Sequence, residues 1–421
     1  MTTQADIETD EVVTEAPRNP LVAAVAGWWA KVRGGDAGSL PAVLGIIVLV
    51  IVFAGLRPNT FTNAFNFANL IHQAAAVIVI AMGLVFVLLL GEIDLSAGYT
   101  AGTAAAVMGV VVTRWEWPWP IAILACLVTG AVIGTLIGLL VSYLGIPSFV
   151  VTLAAFLALQ GVLLKLIGEG GTIAIRDDTL LAINNNDMPV WLGWAVFAIV
   201  VGGYAAIALR RGAKRRSSGL TSEAIQVTLA KIVVLAVLLG LATYWLSTER
   251  SRNPAVTSIK GVPIVVAVLL FLMVTLTFVL TRTSFGRHVY AVGGNAEAAR
   301  RAGINVSMVK LACFMIGSTL AAIGGIMLAS RDNSISPSTG GASTLLYAVG
   351  AAVIGGTSLF GGKGKIVDAI LGGFVIAIII NGMGLLNQPS SVVYMVTGLV
   401  LLVAASVDAI SRRRARSTGR V

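Results

Sequence analysis

The stretch GEIDLSAG at 91–98 carries two carboxylates, Glu92 and Asp94, between two long runs built almost wholly of Val, Leu, Ile, Ala, Met and Gly. Two chemistries are open to them. In a tight turn between helices, Asp94 starts the second helix: its side chain accepts from the free amides near Ala97 and its charge favours the positive end of the helix dipole, with Glu92 and Ser96 completing the turn. Set deeper in an apolar bundle, the same pair binds protons or cations, because an intramembrane charge costs about 2.5 to 3.5 kcal/mol on insertion scales. No other Asp or Glu falls inside an apolar run away from its end, so a proton relay would rest on these two alone. The turn is the preferred reading.

Other chemistry-bearing residues are sparse. His72 and His288 have no partner at a metal-ligand spacing, so no metal is expected, and Cys126 and Cys313 lie inside apolar runs as small core residues. The nearest approach to a phosphate loop, GGTSLFGGKGK at 355–365, has the wrong glycine spacing and a Gly after Lys363 where Ser or Thr is needed. This chain is therefore not expected to hydrolyse nucleotide. H-E-x-x-H and G-x-S-x-G are absent too, and no catalytic residue is assigned.

The elements that must position these residues are membrane helices. The 421 residues are 57% hydrophobic and 11% charged, with a mean hydropathy of +0.92. Apolar runs of roughly 17 to 25 residues recur, each long enough to cross a ~30 Å hydrocarbon layer. The expected fold is an all-α polytopic transmembrane bundle of about twelve spans, with ten to twelve compatible: 40–57, 74–91, 95–113, 119–144, 148–168, 189–209, 227–248, 262–281, 309–330, 342–360, 366–385 and 391–410. Placing both termini in the cytoplasm puts 20 Lys and Arg inside, including RRGAKRR at 210–216, and 7 outside, with Lys165 and Lys231 within spans. The net charge of +10 thus reflects topology and anionic lipid headgroups, not nucleic acid. Residues 1–39 read as a cytoplasmic tail with a short interfacial helix bearing Trp28 and Trp29, 40–411 as the transmembrane domain, and 412–421 as a basic cytoplasmic tail. Gly130, Gly134 and Gly138 form a stripe for close helix packing.

The longest inner loop, 282–308, reads as a handle. Gly293 and Gly294 supply a turn, Asn295 caps, and AEAARRAG, with Glu297, Ala298, Ala299, Arg300 and Arg301, is a short helix closed by Gly303 before Ile304. Its small side chains suit insertion into a partner's groove.

GRHVYAVGGNAEAARRAGINV resembles the cytoplasmic coupling segment of the ribose/xylose/galactose-type sugar permeases of bacterial ABC importers. GEIDLSAG, PSFVVTLAAF, VIGGTSLFGGKG and NGMGLL are similar to further signatures of that family in the same order, over about 42–411. The xylose-type members are most similar, because they share an additional stretch at about 189–248. The resemblance implies a permease homodimer in the bacterial plasma membrane, a cytoplasmic ATPase that carries ATP and Mg, and an extracytoplasmic sugar-binding protein. It places Gly294, Asn295, Ala298, Ala299, Gly303 and Ile304 at coupling positions. Two departures are a run before GGTS without a carboxylate and Gln160 where relatives carry Arg.

Uncharged polar residues in or near spans, Thr152, Gln160, Asn381 and Gln73, are candidates to line a sugar path, or each bridges two helices. Arg57, Arg114, Arg176 and Arg331 could dock the binding protein or anchor headgroups. An internal duplication is also raised: LGIPSFVV at 144–151 echoes LNQPSSVV at 386–393, and GEIDLSAG aligns loosely with GGTSLFGG at 355–362, at offsets of 242 and 264. The rival classes are an ion-coupled secondary carrier using Glu92 and Asp94, and a non-transporting scaffold.

Overall fold

The computed structural model describes residues 22, 26, 38–168, 171–220, 223–251 and 253–417, with backbone alone at 404 and 407–417. Most of the expected N-terminal tail with its interfacial helix, and the side chains of the basic tail 412–421, lie outside the described residues.

The chain is an all-α bundle. Its helices are α1 Leu40–Leu56, α2 Pro58–Phe61, α3 Ala64–Leu89, α4 Ala97–Gly109, α5 Trp119–Ser142, α6 Ser148–Ile167, α7 Asp178–Asn185, α8 Val190–Ser217, α9 Ile225–Ser247, α10 Ile264–Arg282, α11 Ser284–Gly294, α12 Ala296–Arg301, α13 Val306–Asp332, α14 Ala342–Gly355, α15 Ile366–Leu385 and α16 Ser390–Ser417. A helix lies at each of the twelve expected segments. Among the described residues, eight are long and apolar enough to cross a membrane unaided: α3, α5, α6, α8, α9, α10, α13 and α15. The only paired strands described are the short antiparallel β1 Ile173–Ala174 and β2 Ser334–Ile335.

Helix α3 is apolar on every side because it is buried on every side; Ile78, Val79, Ile80, Ala81 and Met82 have no exposed surface. It packs against α13 and α15 at the centre. Helices α8 and α9 are the opposite case: Ile199 is 72% and Leu238 62% exposed, as on a hairpin facing lipid. That hairpin is tied to the bundle at one end. Trp245 stacks on Phe67 at 5.8 Å, Arg250 pairs with Asp187 at 2.6 Å, and Met188 N donates to Val262 O at 2.7 Å.

The duplication is present, in a different register from the one expected for GEIDLSAG. A single displacement of 242 residues carries α3, starting at 64, onto α13, starting at 306, and α6, starting at 148, onto α16, starting at 390. Special backbone positions follow it. Asn63 and Asn305 cap α3 and α13 through their side chains. Gly91 (φ +74°) and Asn333 (φ +53°) turn the chain left-handed after them, and Gly145 (φ +71°) and Asn387 (φ +52°) do so before α6 and α16. GEIDLSAG therefore matches 333–340, not 355–362. The two copies face each other: Gly83 meets Gly317, and Ala76 meets Gly324, so α3 and α13 run antiparallel. A Cβ on Gly98 would lie 2.4 Å from Gly340 O, and one on Gly340 would lie 2.4 Å from Gly98 O. This reciprocal contact between equivalent residues marks the axis of an inverted repeat.

The axis explains two short helices. Each of α4 and α14 begins near the centre, where Gly98 and Gly340 touch, and runs toward one end of the bundle. The non-helical segments before them lead from the ends of α3 and α13 to that contact. Helix α14 stops at Gly355, short of the expected 360, because Gly356 adopts φ +119°.

Candidate functional site

Residues 282–308 form a knob of two helices at one end of the bundle. Thr283 Oγ1 caps α11 by accepting from Gly286 N at 3.2 Å, and Asn295 Oδ1 caps α12 by accepting from Ala298 N at 2.9 Å. Gly303 (φ +83°) ends α12; its N–H donates to Arg300 O and Ile304 N to Ala299 O, each at 3.0 Å. Glu297 pairs with both Arg300 and Arg301, at 2.8 and 3.2 Å. Ala299 is buried against the bundle while Ala298 is exposed. Gly293 and Gly294, expected as a turn, are the last helical residues of α11 instead. Their small size serves approach: a Cβ on Gly293 would lie 1.8 Å from Leu89 O, whereas Gly294 has nothing within 4 Å.

Beneath the knob three backbones meet. Gly362 N donates to Leu89 O at 2.8 Å, and a Cβ on Gly361 would lie 2.9 Å from both Gly293 O and Gly91 N. Tyr290 Oη donates to Gly364 O at 2.8 Å; burial, and then the charge of Asp368, pushes this phenol above its ordinary range. Asp368 holds the loop itself, accepting from Lys365 N at 2.7 Å, Ser39 Oγ at 2.9 Å and Thr357 Oγ1 at 3.2 Å. The 356–365 loop, which fails as a phosphate loop, is thus the joint between knob and bundle. Sequence reasoning did not find that role, although its paired glycines and the acid three residues into α15 were legible signals.

Glu92 and Asp94 part company. Glu92 pairs with Lys310 on α13, with both groups half-buried. Asp94 is buried, with 1% of its surface exposed. Its Oδ1 accepts from Ser96 N at 2.8 Å and Ser96 Oγ at 2.6 Å, and the N-cap position of α4 is Ser96. Ser336 and Ser338, the equivalents in the second copy, have hydroxyls 2.9 Å apart.

The four path candidates do not form one site. Asn381 exchanges two hydrogen bonds with Asn66, at 3.0 and 2.9 Å, locking α15 to α3. Thr152 Oγ1 donates to Ser148 O at 2.9 Å and Ile93 O at 3.2 Å, joining α6 to the segment before α4. Gln160 is half-buried on α6. Gln73 alone lines a cleft, of about 170 Å³ between α3, α13, α14 and α15, together with Arg331, Thr344 and Tyr347. Its Oε1 is buried and has no hydrogen-bond partner among the described residues. A larger groove of about 440 Å³ between α5 and α6 is lined only by apolar side chains such as Leu136, Val150 and Ala158. It offers hydroxyl groups nothing to replace water. Of the remaining arginines, Arg114 is occupied, donating to Leu166 O and Ile167 O at 2.8 and 2.7 Å and so capping α6.

The family model described as branched-chain amino acid transport system / permease component matches residues 66–405. The xylose transport system permease protein XylH of Escherichia coli (strain K12) is 36% identical over 372 residues, covering 88% of this chain and 92% of the relative. The corresponding protein of Haemophilus influenzae (strain ATCC 51907 / DSM 11121 / KW20 / Rd) is 34% identical over 372 residues, 88% and 96% of the two chains. The ribose import permease protein RbsC of Escherichia coli (strain K12) is 28% identical over 371 residues, 87% and 92% of the two chains. No solved structure matches.

Proposed function

Because the chain belongs to the branched-chain amino acid transport system / permease component family, we propose that it is the plasma-membrane permease subunit of an ATP-driven importer of xylose or a closely related monosaccharide. The observation that carries the sugar assignment is the 36% identity to a xylose permease across 88% of the chain. Both termini are cytoplasmic, two copies enclose the path, an extracytoplasmic binding protein delivers the sugar, and nucleotide and Mg belong to a separate ATPase chain.

The knob formed by α11 and α12 is the handle for that ATPase. It is capped at each end and seated on a joint of backbones, so a push on it displaces the joint as a unit. The joint includes Leu89 and Gly91, where α3 ends, and Gly361 and Gly362, between α14 and α15. The cleft at Gln73 is the polar part of the sugar path within one subunit: Gln73, Thr344, Tyr347 and Arg331 supply donors and acceptors, and Val77 and Ile380 an apolar wall. A permease requires such groups to be few, so that the sugar is exchanged from water and then released. The rival ion-coupled carrier loses support from the pairing of Glu92 with Lys310, which already neutralises one of its two carboxylates.

The test is radiolabelled xylose uptake into proteoliposomes holding this chain, its candidate ATPase and the binding protein. Uptake that needs internal ATP and both partners is expected. Uptake by this chain alone under an imposed proton gradient would overturn the proposal.

A further inference from the structure

We propose that the basic end of α8 is a binding site for anionic phospholipid, with Arg210, Arg211, Lys214 and Arg215 receiving the headgroup phosphates; its place in the cytoplasmic leaflet rests on the orientation given above. Helix α8 is 28 residues long, so it rises about 42 Å, more than a hydrocarbon layer of about 30 Å requires. Residues 190–209 carry no charge and account for about 30 Å of that rise. Arg210 therefore stands where hydrocarbon ends, and 211–217 continue the helix into the headgroup layer. Aromatic side chains mark the opposite boundary. Trp191 on α8 is 70% and Tyr244 on α9 65% exposed, both near the end at which the hairpin is tied to the bundle.

The four cations share a face. At 3.6 residues per turn they fall within about 140° of the helix circumference, and the pairs Arg210 with Lys214 and Arg211 with Arg215 are each spread over about 6 Å of the axis. All four are exposed, and none has an acidic partner among the described residues. Glu223, the acid that follows on the hairpin, is taken by Lys231 at 2.5 Å. Arg216 falls outside the face, and its Nε donates to Gly212 O at 3.2 Å. Like charges four residues apart oppose the helix, so the stripe gains from counter-charge supplied from outside the chain.

Position and charge select the occupant. Of the described residues of α8, Gly193 alone is buried, against Val262 at the tied end. Lipid therefore surrounds the helix up to Leu209, and headgroups are what the stripe meets next. A guanidinium offers a phosphate two parallel N–H donors, and an anionic leaflet attracts clustered cations at this depth.

The experiment uses the full chain in bilayers of phosphatidylcholine with a minor fraction of phosphatidylglycerol. Cys126 and Cys313 have no exposed surface, so Ile207→Cys, one turn before the stripe on the same face, offers a single accessible thiol for a fluorophore. Lipids brominated on their acyl chains quench it. Brominated phosphatidylglycerol should quench about fivefold more per mole than brominated phosphatidylcholine, and high ionic strength should reduce the preference. Changing Arg210, Arg211, Lys214 and Arg215 together to Gln should abolish the preference, while changing the three arginines to Lys should retain most of it. Equal quenching by the two lipids in the otherwise unchanged chain, or a preference that survives the Gln changes, overturns the inference. Equal quenching together with weaker ATPase binding by the Gln variant also overturns it, and gives the stripe to an acidic face of that partner. A water-soluble maleimide on Ser218→Cys in intact cells tests the orientation separately: labelling from outside overturns the cytoplasmic placement and leaves the lipid preference to stand on the quenching.

Discussion

Gly293 and Gly294 are adjacent, chemically identical and both helical, yet they make opposite predictions. A Cβ at Gly293 would lie 1.8 Å from Leu89 O and 2.9 Å from Gly362 N, while at Gly294 nothing lies within 4 Å. Both obstructing atoms are backbone, so no side-chain rotation relieves the clash, and α11 must lift by about 1.5 Å to restore ordinary contact. Overpacking of this kind costs about 1 to 3 kcal/mol, and weakening the Gly362–Leu89 hydrogen bond adds roughly 0.5 to 1.5 kcal/mol. A total of about 1.5 to 4.5 kcal/mol raises the population of an undocked knob roughly 10- to 2,000-fold. Gly294→Ala, with space available, should be neutral or stabilising by up to about 1 kcal/mol. The assay is thermal unfolding of each purified variant together with ATP-driven uptake. Gly293→Ala should lower the unfolding temperature and uptake while Gly294→Ala preserves both. Equal behaviour of the two would refute the reasoning that seats the knob on Leu89.

Four further outcomes follow from particular contacts. Asn381→Leu strands the buried amide of Asn66 and should destabilise by about 1 to 3 kcal/mol without changing the KM for sugar, whereas the double change Asn66→Leu with Asn381→Leu should recover much of the loss; a raised KM would return Asn381 to the path. Arg250→Met leaves Asp187 without its buried partner and should cost about 3 to 5 kcal/mol, read as a lower unfolding temperature and faster proteolysis of the hairpin ends. Glu92→Lys should impair uptake and Lys310→Glu should restore it in the same chain, because the pair is structural; a coupling-ion carboxylate would not tolerate the exchange. Glu249 is held at about 2 by Ser258 Oγ, then by the amides of Ile259 and Ser251. Since this depressed value favours the ionised, folded loop, its contribution is complete above the ordinary glutamate range and is lost as pH falls toward about 2. Carbon-13 NMR of labelled Glu249 checks it, and a midpoint near 4.5 would contradict the bonding.

Helices were legible because each is a long apolar run ended by local signals. Asn295 before AEAARR and Gly303 after it are such signals, and the structure uses both as caps. Partners distant in sequence were not legible. Nothing near Glu92 indicates Lys310, 218 residues away, and nothing near Asn381 indicates Asn66, 315 residues away. A glycine pair reads as a turn until the opposing backbone is known, which is why Gly293 was misread. The repeat was half visible: LGIPSFVV and LNQPSSVV carry the true displacement, but in so restricted an alphabet GEIDLSAG also resembles GGTSLFGG. The residues that fix the register are the caps and left-handed positions, Asn63 with Asn305, Gly91 with Asn333 and Gly145 with Asn387, since backbone geometry constrains them where hydrophobicity does not.

The repeat also bears on how a push at one end reaches the other. The knob lies in the connection between the copies, so only one copy's helix-breaking segment, Gly91 to Ser96, adjoins it; the equivalent segment from Asn333 lies at the opposite end, because α3 and α13 are antiparallel. Gly91 is part of the joint under the knob, and seven residues later Gly98 is against Gly340 on the symmetry axis. The intervening chain is tied at two points, with buried Asp94 bonded to Ser96 and Ile93 bonded to α6 through Ser148 and Thr152, so it has little freedom to absorb a displacement by bending. Movement of the joint is therefore delivered to Gly98, and through its backbone contact to Gly340 and the start of α14, the helix that carries Thr344 and Tyr347 into the Gln73 cleft. A bulkier residue at Gly98 would need backbone to yield at 2.4 Å and should uncouple ATP hydrolysis from uptake while leaving ATPase binding at the knob intact. Loss of binding and transport together would instead place the defect at the knob.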